Sequence, residues 1–291
     1  MKNHWLLRYD RFEPQRQGTR ETLCTLGNGY FATRGAPTDA VADGVHYPAT
    51  YLAGGYNRLQ SQIDGRTVEN EDLVNLPNWL PLQVRIADGP WIRTCDLEQL
   101  EYNQELDLKC GVLHRRVRVR DADGRILLWR ERRIVSMASP HRAAVEVTLV
   151  AENWSGRLVV RSSIDGAVRN AGVARYNKLA SKHLETIETR QTDDKIILLN
   201  ARMIHSRREL AIAARTRVHT AGQPLEPDCD SELSKDTVSQ ILLLEVQVGE
   251  AVIVEKTVAI FDTSTLAISE PVGAALTELA NCGHFNELAE A

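Results

Sequence analysis

Between about residues 110 and 262 the chain alternates apolar and polar residues with a period of two. Successive side chains of a strand point to opposite faces, so this alternation marks half-buried strands. In the run from His114 to Arg120, Val117 and Val119 lie opposite Arg116, Arg118 and Arg120. Asp121-Ala122-Asp123-Gly124 supplies a turn and Arg125 to Arg133 runs back, which predicts a hairpin. Val145, Val147, Leu149 and Ala151 share one face of the next strand. Asn153-Trp154-Ser155-Gly156 turns the chain, Leu158, Val160, Ser162 and Ile164 continue on the return, and Asp165-Gly166 closes the unit. Lys195 to Ala201 and Glu209 to Val218 are also strand-like. Ile241 to Val248, Gly249-Glu250 and Ala251 to Phe261 read as the last and longest hairpin, with Val252, Val254, Lys256 and Val258 on one face. No helical period of comparable length interrupts the series. The expectation is an all-β fold, a large antiparallel sandwich of two stacked sheets.

The tail, about residues 266 to 291, changes period. Ser269 is a candidate N-cap, Pro271 falls in the first turn, and Leu276, Leu279 and Ala280 form an i, i+3, i+4 stripe. Cys282-Gly283 breaks it and Phe285 restarts it. The expected division is a β domain over 1–264 and, over 265–291, the start of a helical linker leading to a further domain.

Composition removes several classes of function. Of 291 residues, 35 are basic and 39 acidic, a net charge of −4. The pI near 6.1 lacks the basic footprint of a nucleic-acid binder. No apolar run approaches the roughly 18 residues of a membrane span. Arg8, Asp10 and Arg11 interrupt the N-terminus before a signal-peptide core can form. Five widely spaced cysteines without CxxC argue against a disulfide framework or zinc site and suit a cytoplasmic location.

The first 92 residues carry the unusual content. Ten of the 16 aromatic residues lie between Trp5 and Trp91. Tyr30, Phe31, Tyr47, Tyr51 and Tyr56 alternate there with glycines, and flat rings on Gly-rich loops suit stacking on a sugar face. Three motifs stand out: Thr25–Gly35 around Gly27-Asn28-Gly29, His46–Asn57, and Glu71–Leu82, in which two prolines and two asparagines present Trp79.

Thr25–Gly35, Tyr47–Asn57, Leu73–Leu82 and Glu152-Asn153-Trp154-Ser155-Gly156, taken in order, resemble the N-terminal domain of glycoside hydrolase family 65. Leu106–Leu113 and Arg133–Met137 extend the resemblance, which runs from about Tyr9 to Phe261. It implies a super-sandwich similar to galactose mutarotase, followed by a helical linker and an (α/α)6 barrel that carries catalysis. The family includes maltose, trehalose and kojibiose phosphorylases and related hydrolases. Inorganic phosphate is the co-substrate in the phosphorylases, and no cofactor is implied. The barrel's glutamate general acid has no matching position in this chain. The resemblance therefore implies a non-catalytic domain that supports the barrel, lends its active-site rim a loop and helps two copies pair. Tyr51, Asn57, Asn78 and Trp79 are the candidate rim residues.

Two other chemistries compete with this role. An inverting glycosidase needs two carboxyl groups about 6.5–9.5 Å apart, for which Glu69, Glu71, Asp72, Asp193 and Asp194 are candidates. A mutarotase-like epimerase needs a His and a Glu across a sugar ring. His46 and His141 are the notable histidines, and no spacing suits a metal. A free-standing carbohydrate-binding sandwich is the remaining alternative. Arg116, Arg118, Arg120, Arg130 and Arg132 read as a solvent-facing sheet surface.

Overall fold

The computed structural model describes residues 4–171, 179–264 and 270–291. The expected all-β architecture is present: a ten-stranded antiparallel sheet faces a four-stranded one. The path across the larger sheet runs Leu6–Tyr9, Glu98–Asp107, Val112–Arg120, Ile126–Val135, Arg142–Ala151, Ala251–Asp262, Glu209–Thr220, Ile196–Met203 and Leu184–Gln191, with Gln223–Leu225 beside Glu209–Thr220. The smaller sheet is ordered Asp228–Leu233, Thr237–Val246, Gly156–Asp165, Leu82–Ile86. Val117, Val147, Val254 and Ile212 of one sheet and Val84, Val160 and Leu244 of the other belong to one buried core.

The 112–135 hairpin forms as predicted, with Ile126 opposite Arg120. The other two expected hairpins do not form. Arg142–Ala151 pairs with Ala251–Asp262 and with Ile126–Val135, whereas Gly156–Asp165 pairs in the opposite sheet with Thr237–Val246. Residues 152–155 and 247–250 are therefore crossings between layers. They run side by side: Gly249 N donates to Ala151 O at 2.8 Å and Val248 N to Ser155 Oγ at 2.8 Å. Alternation records which face a side chain takes, not which strand is its neighbour. The Asn153-Trp154 motif fixes the first crossing to the 121–125 turn. Asn153 Nδ2 donates to Gly124 O at 2.9 Å, and Trp154 Nε1 donates to Ile126 O at 3.2 Å.

A short helix that periodicity did not foresee, α1 (Gln17–Leu23), follows the first strand. Its buried residues are Gln17, Arg20 and Glu21, so it has no apolar stripe to detect. Glu21 accepts from Tyr47 N at 3.0 Å and meets His46 Nδ1 at 2.7 Å. Gly35, at the end of the Thr25–Gly35 motif, packs so tightly on this region that a methyl group there would sit 2.6 Å from Cys24 Cβ. Asn28 pins the other end, donating to Ser136 O and Pro140 O at 2.7 and 2.9 Å. The turn itself needs Gly29 at φ +87°.

The tail helices α2 (Pro271–Ala280) and α3 (Phe285–Glu290) pack on the outer face of the larger sheet. Val272, Ala275, Leu279, Phe285 and Leu288 form a second core with Ile196, Leu198, Ala211, Ala213 and Phe261. Strands Ile196–Met203 and Glu209–Thr220 are thus covered on both faces, which explains their nearly continuous apolar character. Ser269 lies outside the described residues. The capping side chain is Glu270, which accepts from Val272 N at 3.1 Å and Gly273 N at 2.7 Å. Buried Glu255 accepts from Phe285 N at 2.8 Å, and Arg215 donates to Leu279 O at 3.3 Å. A carboxylate at the start of α3 and a guanidinium at the end of α2 both suit the helix dipole.

Candidate functional site

A cleft of about 710 Å³ lies on the outer face of the smaller sheet. Strands Leu82–Ile86, Gly156–Asp165 and Thr237–Val246 lay down its floor with Gln83, Arg161, Ser163, Asp165 and Ser239. These occupy the polar side of the alternation whose other side, Val84, Val160 and Ile164, fills the core. Loops 40–48, 75–81 and 167–171 form the walls, and Glu232 and Leu233 close one end.

Hydrogen bonds fix the loops to one another. Asn78 and Asp165 exchange backbone bonds of 2.7 and 2.9 Å, extending the sheet into the 74–81 segment. Asn75 Nδ2 donates to Arg169 O at 3.3 Å. Tyr47 hydroxyl donates to the same carbonyl at 3.2 Å and accepts from Ala171 N at 3.0 Å. The backbone of Tyr47 is held from behind, where Arg34 Nε donates to its carbonyl at 3.0 Å.

The floor is polar and partly desolvated. Arg161 Nε and Nη2 both donate to Gln83 Oε1, at 3.0 and 2.5 Å. Its guanidinium lies 4.2 Å from the centre of the Trp91 ring, and Arg85 lies 4.9 Å from the same ring. Burial pushes the Arg161 guanidinium below its ordinary pKa; Glu232 opposes this and Arg85 adds to it. Ser163 and Ser239 share a 2.8 Å bond between buried hydroxyls. Asp165 accepts from Ala167 N at 2.8 Å and from Thr237 Oγ1 at 3.3 Å.

The four rim candidates are not gathered here. Asn78 lines the cleft. Tyr51 is half-buried behind Tyr47; burial first, then Tyr47, holds its phenol above the usual range. Asn57 is buried elsewhere, where its Oδ1 accepts from His205 N and Ser206 N, both at 3.0 Å, and its Nδ2 donates to His183 Nδ1 at 3.2 Å. Trp79 is fully buried rather than presented, its indole N–H donating to Thr33 Oγ1 at 3.2 Å. The two prolines that made its segment look like a display loop instead lay it into the core beside Leu76 and Leu80.

The candidate acids are engaged or apart. Glu69 and Glu71 are half-exposed and both lie against Arg58. Asp72 faces buried His183 at 3.4 Å. His46 and Glu21 form a His–Glu pair, but both are sealed, and no histidine lines the cleft among the described residues. His141 stacks on Phe261 with ring centres 3.7 Å apart.

Sequence reasoning missed Gln83, Arg161, Asp165 and Glu232 as a group. The first two sit at polar strand positions, which look like ordinary solvent-facing residues, and Asp165 looked like turn chemistry. Strand pairing brings them together: Gln83 lies opposite Arg161, and Glu232 opposite Ser239, which in turn lies opposite Ser163.

Comparison with known proteins places this geometry in a family. The chain is 37% identical over 288 residues to an uncharacterized glycosyl hydrolase of Mycobacterium tuberculosis, covering 98% of this chain and 22% of that protein. It is 31% identical to the trehalose 6-phosphate phosphorylase of Lactococcus lactis, covering 95% of this chain and 34% of the relative. It is also 31% identical to a kojibiose phosphorylase of Caldanaerobacter subterraneus, covering 74% and 26%. A solved structure titled "Putative kojibiose phosphorylase from human microbiome" shares the fold with a TM-score of 0.84 at 16% identity, over 98% of this chain and 36% of that one. The chain thus spans between about a fifth and about a third of the proteins it matches. The profile of the glycosyl hydrolase family 65 N-terminal domain matches residues 7–291, and the chain belongs to that family as its N-terminal domain.

Proposed function

We propose that this domain is the non-catalytic N-terminal part of a larger family 65 phosphorylase or hydrolase. The whole protein acts on an α-linked glucose disaccharide of the maltose, trehalose or kojibiose type. The observation that carries the reading is the length relation: nearly the whole chain matches a family model of an N-terminal domain and aligns with only part of relatives about three to five times longer. The engagement of Glu69, Glu71 and Asp72 within the fold is in keeping with it. In this role the sandwich supports a barrel formed by the rest of the polypeptide. The 40–51 and 75–81 loops, with Tyr51 and Asn78, lend it a rim; Trp79 anchors the second loop from within through Thr33, and Asn57 holds the 203–206 turn instead. Pairing of two copies belongs to the same proposal. The hairpin of Tyr56–Ile63 and Arg66–Leu73, whose face carrying Tyr56, Arg58, Gln60 and Gln62 is exposed, is the surface that fits it. A cytoplasmic setting suits the five free cysteines.

The purified chain is expected to show no turnover of maltose, trehalose or kojibiose, with or without inorganic phosphate, by released glucose or glucose phosphate. Turnover of any of these sugars by the purified chain, above all turnover abolished by replacing Glu69, Glu71 or Asp72, would place chemistry in this domain and overturn the reading.

A further inference from the structure

The cleft on the smaller sheet treats charge differently from the arginine-rich face of the larger sheet. On that face Arg116 meets Glu101, Arg118 meets Glu152, Arg120 meets Glu98 and Arg132 meets Glu146, all within 3.1 Å. In the cleft a neutral amide, Gln83, holds Arg161 instead. Among the described residues, Arg161, Asp165 and Glu232 have no ion-pair partner within 4.0 Å, although all three line one cavity. Donors and acceptors of both signs are thus held apart on a rigid floor, where pairing them would have been the cheaper arrangement.

This pattern selects a ligand class. An anion would approach Arg161 but face Asp43, Asp165 and Glu232; a cation would meet Arg161 and Arg169. A neutral polyhydroxylated ligand avoids both penalties, because each hydroxyl donates to a carboxylate and accepts from a guanidinium or amide. The volume falls within the roughly 300–1,000 Å³ of small-ligand sites. Pro48, Pro81 and Val168 supply apolar wall for the C–H faces of a ring. We propose that the cleft binds a neutral sugar of mono- to trisaccharide size, with Arg161, Asp165 and Glu232 as its principal polar contacts. The site uses only residues of this chain. Its walls share the 40–48 and 75–81 loops with the rim proposed above, but its polar contacts, Arg161, Asp165 and Glu232, lie outside those loops and do not depend on a barrel.

Isothermal titration of the chain with glucose, maltose, trehalose and kojibiose, and with inorganic phosphate as the charged control, tests this. At least one sugar is expected to bind saturably in the millimolar range, and phosphate is not. Arg161→Met and Glu232→Gln should each weaken that binding by about tenfold or more. Glu232 is exposed, so E232Q is expected to keep the wild-type melting temperature, which separates lost contact from lost fold. The proposal is overturned by no saturable binding of any of the four sugars up to about 50 mM. Affinity unchanged in both variants, or phosphate binding in place of sugar, also overturns it. Each of these outcomes leaves the turnover assay of the preceding section unaffected.

Discussion

Glu131→Leu is expected to lower the unfolding free energy of the domain by about 3–5 kcal/mol, the range for breaking a buried charge network from one side. Glu131 is buried on the inner face of the larger sheet. It accepts from Arg133 Nη2 at 2.6 Å and from Thr38 Oγ1 at 2.9 Å, and lies 3.5 Å from Arg115 Nε. Arg115 in turn pairs with buried Asp39 and donates to Thr94 Oγ1 at 2.9 Å. Arg133 also donates to Arg34 O and Ala36 O, at 3.0 and 2.6 Å. Two carboxylates and two guanidiniums therefore balance, and they tie loop 34–39 to the sheet. Burial pushes Arg133 below its ordinary pKa, Glu131 opposes that shift, and Arg115 adds to it, so removing Glu131 leaves Arg115 with Asp39 and strips buried Arg133 of its paired carboxylate. Glu101→Leu is the control. Its partner Arg116 is half-exposed, and such pairs contribute about 0–1 kcal/mol. Urea unfolding of both variants decides the matter, and equal losses would contradict a stabilising network.

The second large effect has the opposite sign. Lys256 is fully buried between the sheets with Val252, Val254 and Val258. Its Nζ donates to Ser163 O at 2.6 Å and Pro81 O at 3.3 Å, and no carboxylate pairs with it among the described residues. Burial pushes its pKa well below the ordinary lysine value. Between that depressed value and the unfolded value near 10.4, the unfolded chain carries a proton that the native chain lacks. Stability therefore rises with pH through that window, by up to about 1.4 kcal/mol per pH unit from this group. Lys256→Met keeps the volume, removes the titration and should raise the unfolding midpoint at neutral pH. The gap between variant and wild type should narrow as pH approaches 10. A gap that stays constant with pH would show that Lys256 does not titrate on unfolding.

How much of this was legible depends on what alternation can encode. The 112–135 hairpin was readable because its turn and both strands are contiguous. The crossings at 152–155 and 247–250 looked the same locally, and their partners lie about 100 residues away. Lys256 was visible on an apolar face. Arg115, Glu131 and Arg133 were not singled out, since charges are read as exposed unless something marks them otherwise. α1 buries Gln17, Arg20 and Glu21, so no hydrophobic period betrays it. Trp79 was misplaced because prolines and asparagines signal irregular backbone, which here runs through the interior. The cleft residues escaped because two polar strand positions, 83 and 161, meet only through pairing.

The central claim is that this domain supports a catalytic unit formed elsewhere in the same polypeptide. Producing the remainder of the full-length protein separately, and measuring its disaccharide turnover with and without this 291-residue chain, tests that claim most directly. The account predicts that the remainder alone is inactive or unstable, and that adding the chain restores activity and raises the remainder's melting temperature. A remainder that is fully active and equally stable without the chain would contradict it.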